Sequence, residues 1–404
     1  MKNFLFYFLI ALLPLGVIAR LNILPQLAVS IVDIVVLCIL AINLRVIYLF
    51  FKKTNIYVVC IIALFFLGLV GAIIHVTSFF EFLVSFSYSL RFFSYILLFI
   101  PMLYLPHKSI VIIKNELLIS SFVFILLGYI QYFYYPSLRN LYYLGWDEHL
   151  YRLFSTLLDP NYAGVYILLI FYLFLSSYTL YKKNLYIKNI LLLLSGSVYV
   201  LGAFFLTYSR SSYVAFIISA FVFVFMLGKK RFLLILFLIF VIGILLVPKN
   251  IGGEGVNLIR TSSIFSRVDA MNNGLYVFTT SPVIGVGFNT LRFTNLKLGL
   301  ISKTDSTFSH ASNGIPNSYI FILATMGILG FIIFLVLGFY LVSNVVRKMK
   351  NGKEYKYAGS AILASISAIL IQSFFENSLF YTPFMLWVVI TCGIFFNKNK
   401  SIKK

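Results

Sequence analysis

The feature that leaves this chain fewest options is a series of twelve apolar stretches, each near the ~20 residues an α-helix needs to cross a bilayer. They cover roughly 3–19, 28–50, 55–75, 83–105, 116–134, 160–180, 189–208, 211–228, 232–247, 318–342, 358–377 and 379–396. The chain is 61% hydrophobic and only 11% charged, whereas soluble domains average about 45–50% apolar and about 25% charged residues. A water-soluble globular fold is excluded. The expectation is an all-α polytopic membrane protein, residues 1–404 forming one integral domain with about twelve transmembrane helices. Lys2 precedes the first stretch, but Gly16-Val17-Ile18-Ala19-Arg20 is a poor cleavage site, so that stretch reads as a retained helix.

Thirty-two Lys and Arg against 11 Asp and Glu give a formal charge of +21. Such a balance suits an anionic partner such as nucleic acid, or a membrane protein with cationic cytoplasmic loops. Placement decides. With both termini in the cytoplasm, the internal segments hold 20 of the 32 cations, opposed only by Glu116 and Glu354. The external segments hold ten cations against eight acids. The charge therefore reads as topology, with no nucleic-acid partner. The cation type differs between sides: 18 of the 20 internal ones are Lys, while seven of the ten external ones are Arg. Topology needs only charge, but bidentate grip on phosphate or carboxylate needs the guanidinium fork.

Two external segments exceed ordinary connections, 135–159 and the large loop 248–317 between the ninth and tenth spans. Within the second, Ile264, Val268, Met271, Leu275 and Phe278 recur at helical spacing and predict a short amphipathic helix near 262–280. Ser262 or Ser263 is available as its cap. Arg267 lies at the edge of that stripe, either snorkelling or aimed at the headgroup level. Cys38, Cys60 and Cys392 fall inside spans, as packing residues rather than a disulfide framework.

No phosphate loop, His-Glu-x-x-His, Cys-x-x-Cys or dinucleotide fingerprint occurs. Asp147-Glu148-His149 is a weak metal candidate. Neither a metal nor a cofactor is expected, so an enzyme here would need a substrate that brings its own activation. Three patterns carry chemistry. Arg152 precedes Asp159-Pro160-Asn161, where Asp159 and Pro160 suit a helix start; this is either a plain cap or an anion site at a helix N-terminus. Thr207-Tyr208-Ser209-Arg210-Ser211-Ser212 is a tight external turn. Ser281-Pro282-Val283-Ile284-Gly285-Val286-Gly287-Phe288 is followed by His310, Pro316-Asn317-Ser318-Tyr319 and Met326-Gly327-Ile328-Leu329-Gly330. Small residues in the last run permit close helix packing.

In this order the three patterns, over roughly 150–335, resemble the O-antigen ligase/polymerase superfamily of bacterial membrane glycosyltransferases. The resemblance implies a surface-polysaccharide polymerase at the outer face of the cytoplasmic membrane, its site facing the exterior. Donor and acceptor would be oligosaccharides on undecaprenyl diphosphate. A chain-length regulator and a flippase are the implied protein partners, beside membrane lipid. Ligase-type transfer of finished glycan to lipid A-core is the alternative within the family, and a polysaccharide flippase the alternative outside it. One departure stands out: ligases carry His where this chain has Pro316, and the nearest imidazole is His310.

The expected chemistry is an inverting glycosyl transfer. Arg210, Arg152 and Arg267 would stabilise charge growing on the departing diphosphate. Asp159, His310 and Glu376 are the candidates for the base that takes the acceptor proton. Arg292, Asn161, Asn317 and Arg91 complete the binding candidates. Arg91 lies inside a span, where a charge is functional by default, or forms an ion pair with Asp33 or Glu376. Tyr88 and Tyr95 share its face. Tyr142, Tyr143 and Trp146 either stack on sugars or anchor at the interface.

Overall fold

The computed structural model describes residues 2–24, 27–53, 55–181, 187–229, 231–248, 256–257, 262–302 and 314–399. A bilayer core offers no hydrogen-bond partner to a peptide group, so apolar stretches satisfy their backbone internally as helices. Each of the twelve stretches coincides with a helix or helix pair. These are α1 (Lys2–Leu12), α2 (Ile31–Ile42) with α3 (Leu44–Phe51), α4 (Ile56–His75), α5 (Phe79–Leu97) with α6 (Phe99–Met102), α7 (His107–Tyr134), α8 (Pro160–Tyr181), α9 (Ile187–Phe205), α10 (Arg210–Leu227) and α11 (Arg231–Leu246). After the large loop, which holds α12 (Ser262–Thr280) and α13 (Leu291–Lys297), come α14 (Ser318–Met349), α15 (Lys353–Gln372) and α16 (Thr382–Phe396).

Among the described residues, length and hydropathy suffice for a full crossing in six helices, or seven when the α2–α3 pair, bent by 69°, counts as one. The protein is thus a multi-pass membrane protein, but in five of the twelve stretches the described residues are fewer or less apolar than a full span needs. One of these, α15, is the central helix, packed against α10, α8, α14 and α16. Its buried face carries Gly359, Ser360, Ala361, Ala364, Ser365 and Ala368. Small side chains lower its hydropathy and let neighbouring backbones approach. Among the described residues one element departs from the all-α expectation: β1 (Arg20–Leu24) and β2 (Leu27–Ser30) pair as an antiparallel ribbon across the first connection and the opening residues of the 28–50 stretch.

The Pro282–Gly287 run and the Met326–Gly330 run form one unit. Helix α14 breaks at Gly327, whose φ of 63° and ψ of −169° lie outside helical space. The loop inserts beside that break. Val286 N donates to Ala324 O at 3.0 Å, Gly287 N to Thr325 O at 2.9 Å, and Ile328 N to Pro282 O at 2.9 Å. The loop's peptide groups take up what the broken helix frees.

Helix α12 occupies the segment whose periodicity predicts it, and Met271 of its apolar stripe packs against the core, but the stripe as a whole is not its packed face. Val268 and Leu275 are 46% and 43% exposed, while Val277 is fully buried. Gly274 abuts Ile315 and Ile320. Hydrophobicity does not distinguish a core-facing side from a lipid-facing one, so the stripe alone leaves the packed side open. The side chains of Ser262, Ser263 and Ile264 lie outside the described residues.

Candidate functional site

The chain from Arg152 to Asn161 is held in an unusual shape, with positive φ at Ser155 and Leu158. Gln131 of α7 braces it: its Oε1 accepts Phe154 N at 2.8 Å and Ser155 N at 3.1 Å, and its Nε2 donates to Arg152 O at 3.2 Å. Arg152 is only 3% exposed. Its Nε donates to Thr207 O at 2.9 Å, and its Nη2 to Tyr208 O and Asn161 Oδ1, both at 3.3 Å. The arginine ties the Ser-Arg turn to the start of α8.

Asp159 caps α8, its Oδ1 accepting Asn161 N at 2.6 Å and Tyr162 N at 3.4 Å. Asn161 is the hub. Its Oδ1 also accepts Ser209 Oγ at 3.0 Å, and its Nδ2 donates to Glu376 Oε1 at 3.0 Å. Its carbonyl receives Ser212 Oγ at 3.1 Å and Gln372 Nε2 at 3.3 Å. Three helix ends, of α8, α10 and α15, thereby meet at one residue.

Ser209 caps α10, and Arg210 is that helix's first residue. Arg210 lies within electrostatic reach of Arg267, brought in by α12. Arg267 Nη2 pairs in turn with Glu376 Oε1. Burial pushes the Glu376 carboxyl up to about 8, Arg267 pulling it down and Asp159 adding to the rise. Burial likewise raises Asp159, against the opposing cap hydrogen bonds and Arg152. Three guanidiniums therefore face two carboxylates that resist ionisation.

Asn317 caps α14, its Oδ1 accepting Tyr319 N and Ile320 N at 2.9 and 3.0 Å. Its Nδ2 donates to Phe374 O at 3.2 Å, Ser318 N to Ser373 O at 2.8 Å, and Ser318 Oγ to Glu376 O at 3.3 Å. The Asn-Ser pair thus holds the 373–381 loop that presents Glu376.

The structure brings together Arg152, Asp159, Asn161, Arg210, Arg267, Asn317 and Glu376. Arg91 stands apart, pairing with Asp33 Oδ2 at 2.8 Å rather than with Glu376. Among the described residues no contact joins Arg292 to the cluster; its Nε is buried without a partner, and burial lowers its pKa. His310 lies outside the described residues. Among the described residues no group of three or more His, Cys, Asp or Glu has a metal-binding arrangement, Asp147-Glu148-His149 included. Ser209 and Ser318 stand inside the motifs quoted above without a role of their own, while Gln372 and Tyr381 escape sequence reasoning. The two serines are ordinary cap-region residues, and the other two come from segments distant in sequence. An Asn or Ser preceding a helix is the local signal for the serines; no local signal exists for the other two.

Residues 195–335, from within α9 to the middle of α14, match the family model described as O-antigen ligase. The match includes Arg210, Arg267 and Asn317, while Arg152, Asn161 and Glu376 lie outside it. It supports the O-antigen ligase/polymerase superfamily. No match to the chain is found among curated proteins.

Proposed function

We propose that the chain is a surface-polysaccharide polymerase, moving a growing glycan from a lipid diphosphate onto the next lipid-linked repeat unit at the outer face of the cytoplasmic membrane. The observation that carries this is the convergence of Arg210 and Arg267 beside Glu376. Two like charges drawn together by separate elements are costly without an anion between them, and a diphosphate supplies one. In the transfer, the acceptor oxygen bonds the anomeric carbon of the donor sugar. The bond from that carbon to the diphosphate breaks, and its electron pair leaves with the lipid diphosphate. Arg210 and Arg267 stabilise the charge that develops there. Glu376 or Asp159 accepts the hydroxyl proton; their raised affinity for a proton suits that task. Arg152, committed to backbone carbonyls, positions the turn that presents Arg210.

Ligase-type transfer is favoured by the description of the matching family, and Pro316 in place of the ligase histidine weighs against it. A deletion strain separates the readings. Single repeat units on the final acceptor indicate a lost polymerase. Full-length chains left on the carrier lipid indicate a lost ligase. Single lipid-linked units accumulating on the inner face indicate a lost flippase and would overturn the proposal.

A further inference from the structure

A cavity of about 300 Å³ lies beside the arginine–carboxylate cluster, lined by the end of α1, the starts of α2 and α16, helix α5 and the Asn289 turn. Tyr381 forms the partition. It lines the cavity and stacks on Tyr162 with centroids 4.0 Å apart. It also lies within electrostatic reach of Asp159 on one side and Arg20 on the other. Asn377, another wall residue, follows Glu376 directly.

The polar groups of this cavity are only partly used by the fold. Asp33 is saturated: Oδ2 receives Ser30 N at 2.7 Å and Arg91 Nη2 at 2.8 Å, and Oδ1 receives the Tyr95 hydroxyl at 2.5 Å. Asp33 therefore orients Arg91, whose Nη2 also donates to Ala28 O and whose guanidinium lies over the Tyr88 ring, 4.8 Å from its centroid. The Nε and Nη1 hydrogens of Arg91 meet no acceptor among the described residues, and the side chain keeps 19% of its surface exposed. The Asn377 amide also makes no hydrogen bond among the described residues, its Oδ1 being enclosed without a partner. An oriented guanidinium edge, carboxamides and aromatic faces around a small space are the chemistry that recognises a hydroxyl-rich ring. The volume sits at the lower end of the roughly 300–1,000 Å³ of small-molecule sites, enough for a terminal sugar but not for a chain.

We propose that this cavity seats the terminal sugar of the acceptor, held by the free edge of Arg91 and the Asn289 and Asn377 amides, with its reactive hydroxyl passing Tyr381 to the Asp159–Glu376 carboxylates. The assignment rests on the glycosyl-transfer reading above. It divides the site: lipid diphosphate on Arg210 and Arg267, acceptor saccharide on Arg91.

The test uses the full-length protein in detergent and two probes: the lipid-linked saccharide extracted from a strain deleted for this gene, and the same saccharide freed from its lipid diphosphate by mild acid. The free saccharide is expected to bind wild type and Arg210→Ala alike. It should bind at least tenfold more weakly to Asn377→Leu and to the paired Asp33→Asn/Arg91→Gln variant. Asn377→Leu removes no hydrogen bond among the described residues, so its unfolding midpoint should match wild type and a loss of binding there is a loss of recognition. The intact lipid-linked form should lose affinity in Arg210→Ala. Free saccharide that fails to bind wild type, or binds both cavity variants as tightly as wild type, overturns the assignment. A deletion strain that accumulates no lipid-linked saccharide, with no binding of a lipid-linked saccharide from a flippase-competent relative strain, overturns the transfer reading itself.

Discussion

Asn161 and Glu376 meet at 3.0 Å, Nδ2 to Oε1, so a residue at the start of α8 holds the carboxylate that also pairs with Arg267. Four further groups depend on the same asparagine: Arg152, Ser209, Ser212 and Gln372. Asn161→Leu keeps the volume and deletes the side-chain partners of Arg152, Ser209 and Glu376. A buried polar group left unsatisfied costs about 1–3 kcal/mol, so the variant should lower the thermal unfolding midpoint in detergent and shorten polymer together. An unchanged midpoint would show that the hub does not hold the three helix ends.

Arg210→Lys keeps a charge at the first residue of α10 and removes the planar fork. Charge-assisted bonds contribute about 1.5–3 kcal/mol each, so transfer should slow by roughly 10- to 10²-fold, and Arg210→Lys/Arg267→Lys by roughly 10²- to 10⁴-fold. The unfolding midpoint of Arg210→Lys should stay near wild type, since the change leaves the Ser209 cap in place. Polymer of wild-type length in the single variant would remove Arg210 from the reaction.

Burial holds Glu376 at about 8, against an ordinary 4.5. Between those values the folded chain keeps a proton that the unfolded chain has released. Stability is therefore highest below the ordinary value and falls as pH rises toward 8, levelling above it. Glu376→Gln carries no titrating group and should flatten that decline in unfolding midpoints measured across the window. Transfer by wild type should rise over the same range as the carboxylate appears. A wild-type stability profile that climbs with pH through this window would reverse the assignment.

How far the sequence reveals this fold depends on how local the deciding interactions are. The helices follow from apolar runs because a bilayer enforces backbone satisfaction within the segment. Asp159-Pro160 and Ser209-Arg210 are legible for the same reason: a cap is settled within four residues. Arg152 is legible as a cation of the site, but its carbonyl partners at Thr207 and Tyr208 are not, because they lie far along the chain. Glu376 was visible as an acid near the outer side, but its pairing with Arg267 and Asn161 is a fact of tertiary packing. The ribbon at Arg20–Ser30 and the packed side of α12 were hidden because lipid and protein core draw on the same side chains.

Gly327 gives the sharpest test of the threaded loop. Its φ of 63° and ψ of −169° lie in a region that is essentially glycine-only, costing other residues about 1–3 kcal/mol. An added Cβ would also sit 2.2 Å from Val283 O, backbone that cannot swing aside, and overpacking adds about 1–3 kcal/mol. Together these approach the total of about 5–15 kcal/mol by which proteins are stable. Gly327→Ala should therefore yield little monodisperse protein from detergent extracts. Gly338, in the same helix, has nothing within 4 Å of its added Cβ, so Gly338→Ala should gain the ~0.5–1 kcal/mol of helix preference instead. The two substitutions are chemically identical and eleven positions apart, so opposite outcomes isolate the inserted loop as the cause. Equal yields and equal unfolding midpoints would mean that the Pro282–Gly287 loop does not lie against the break in α14.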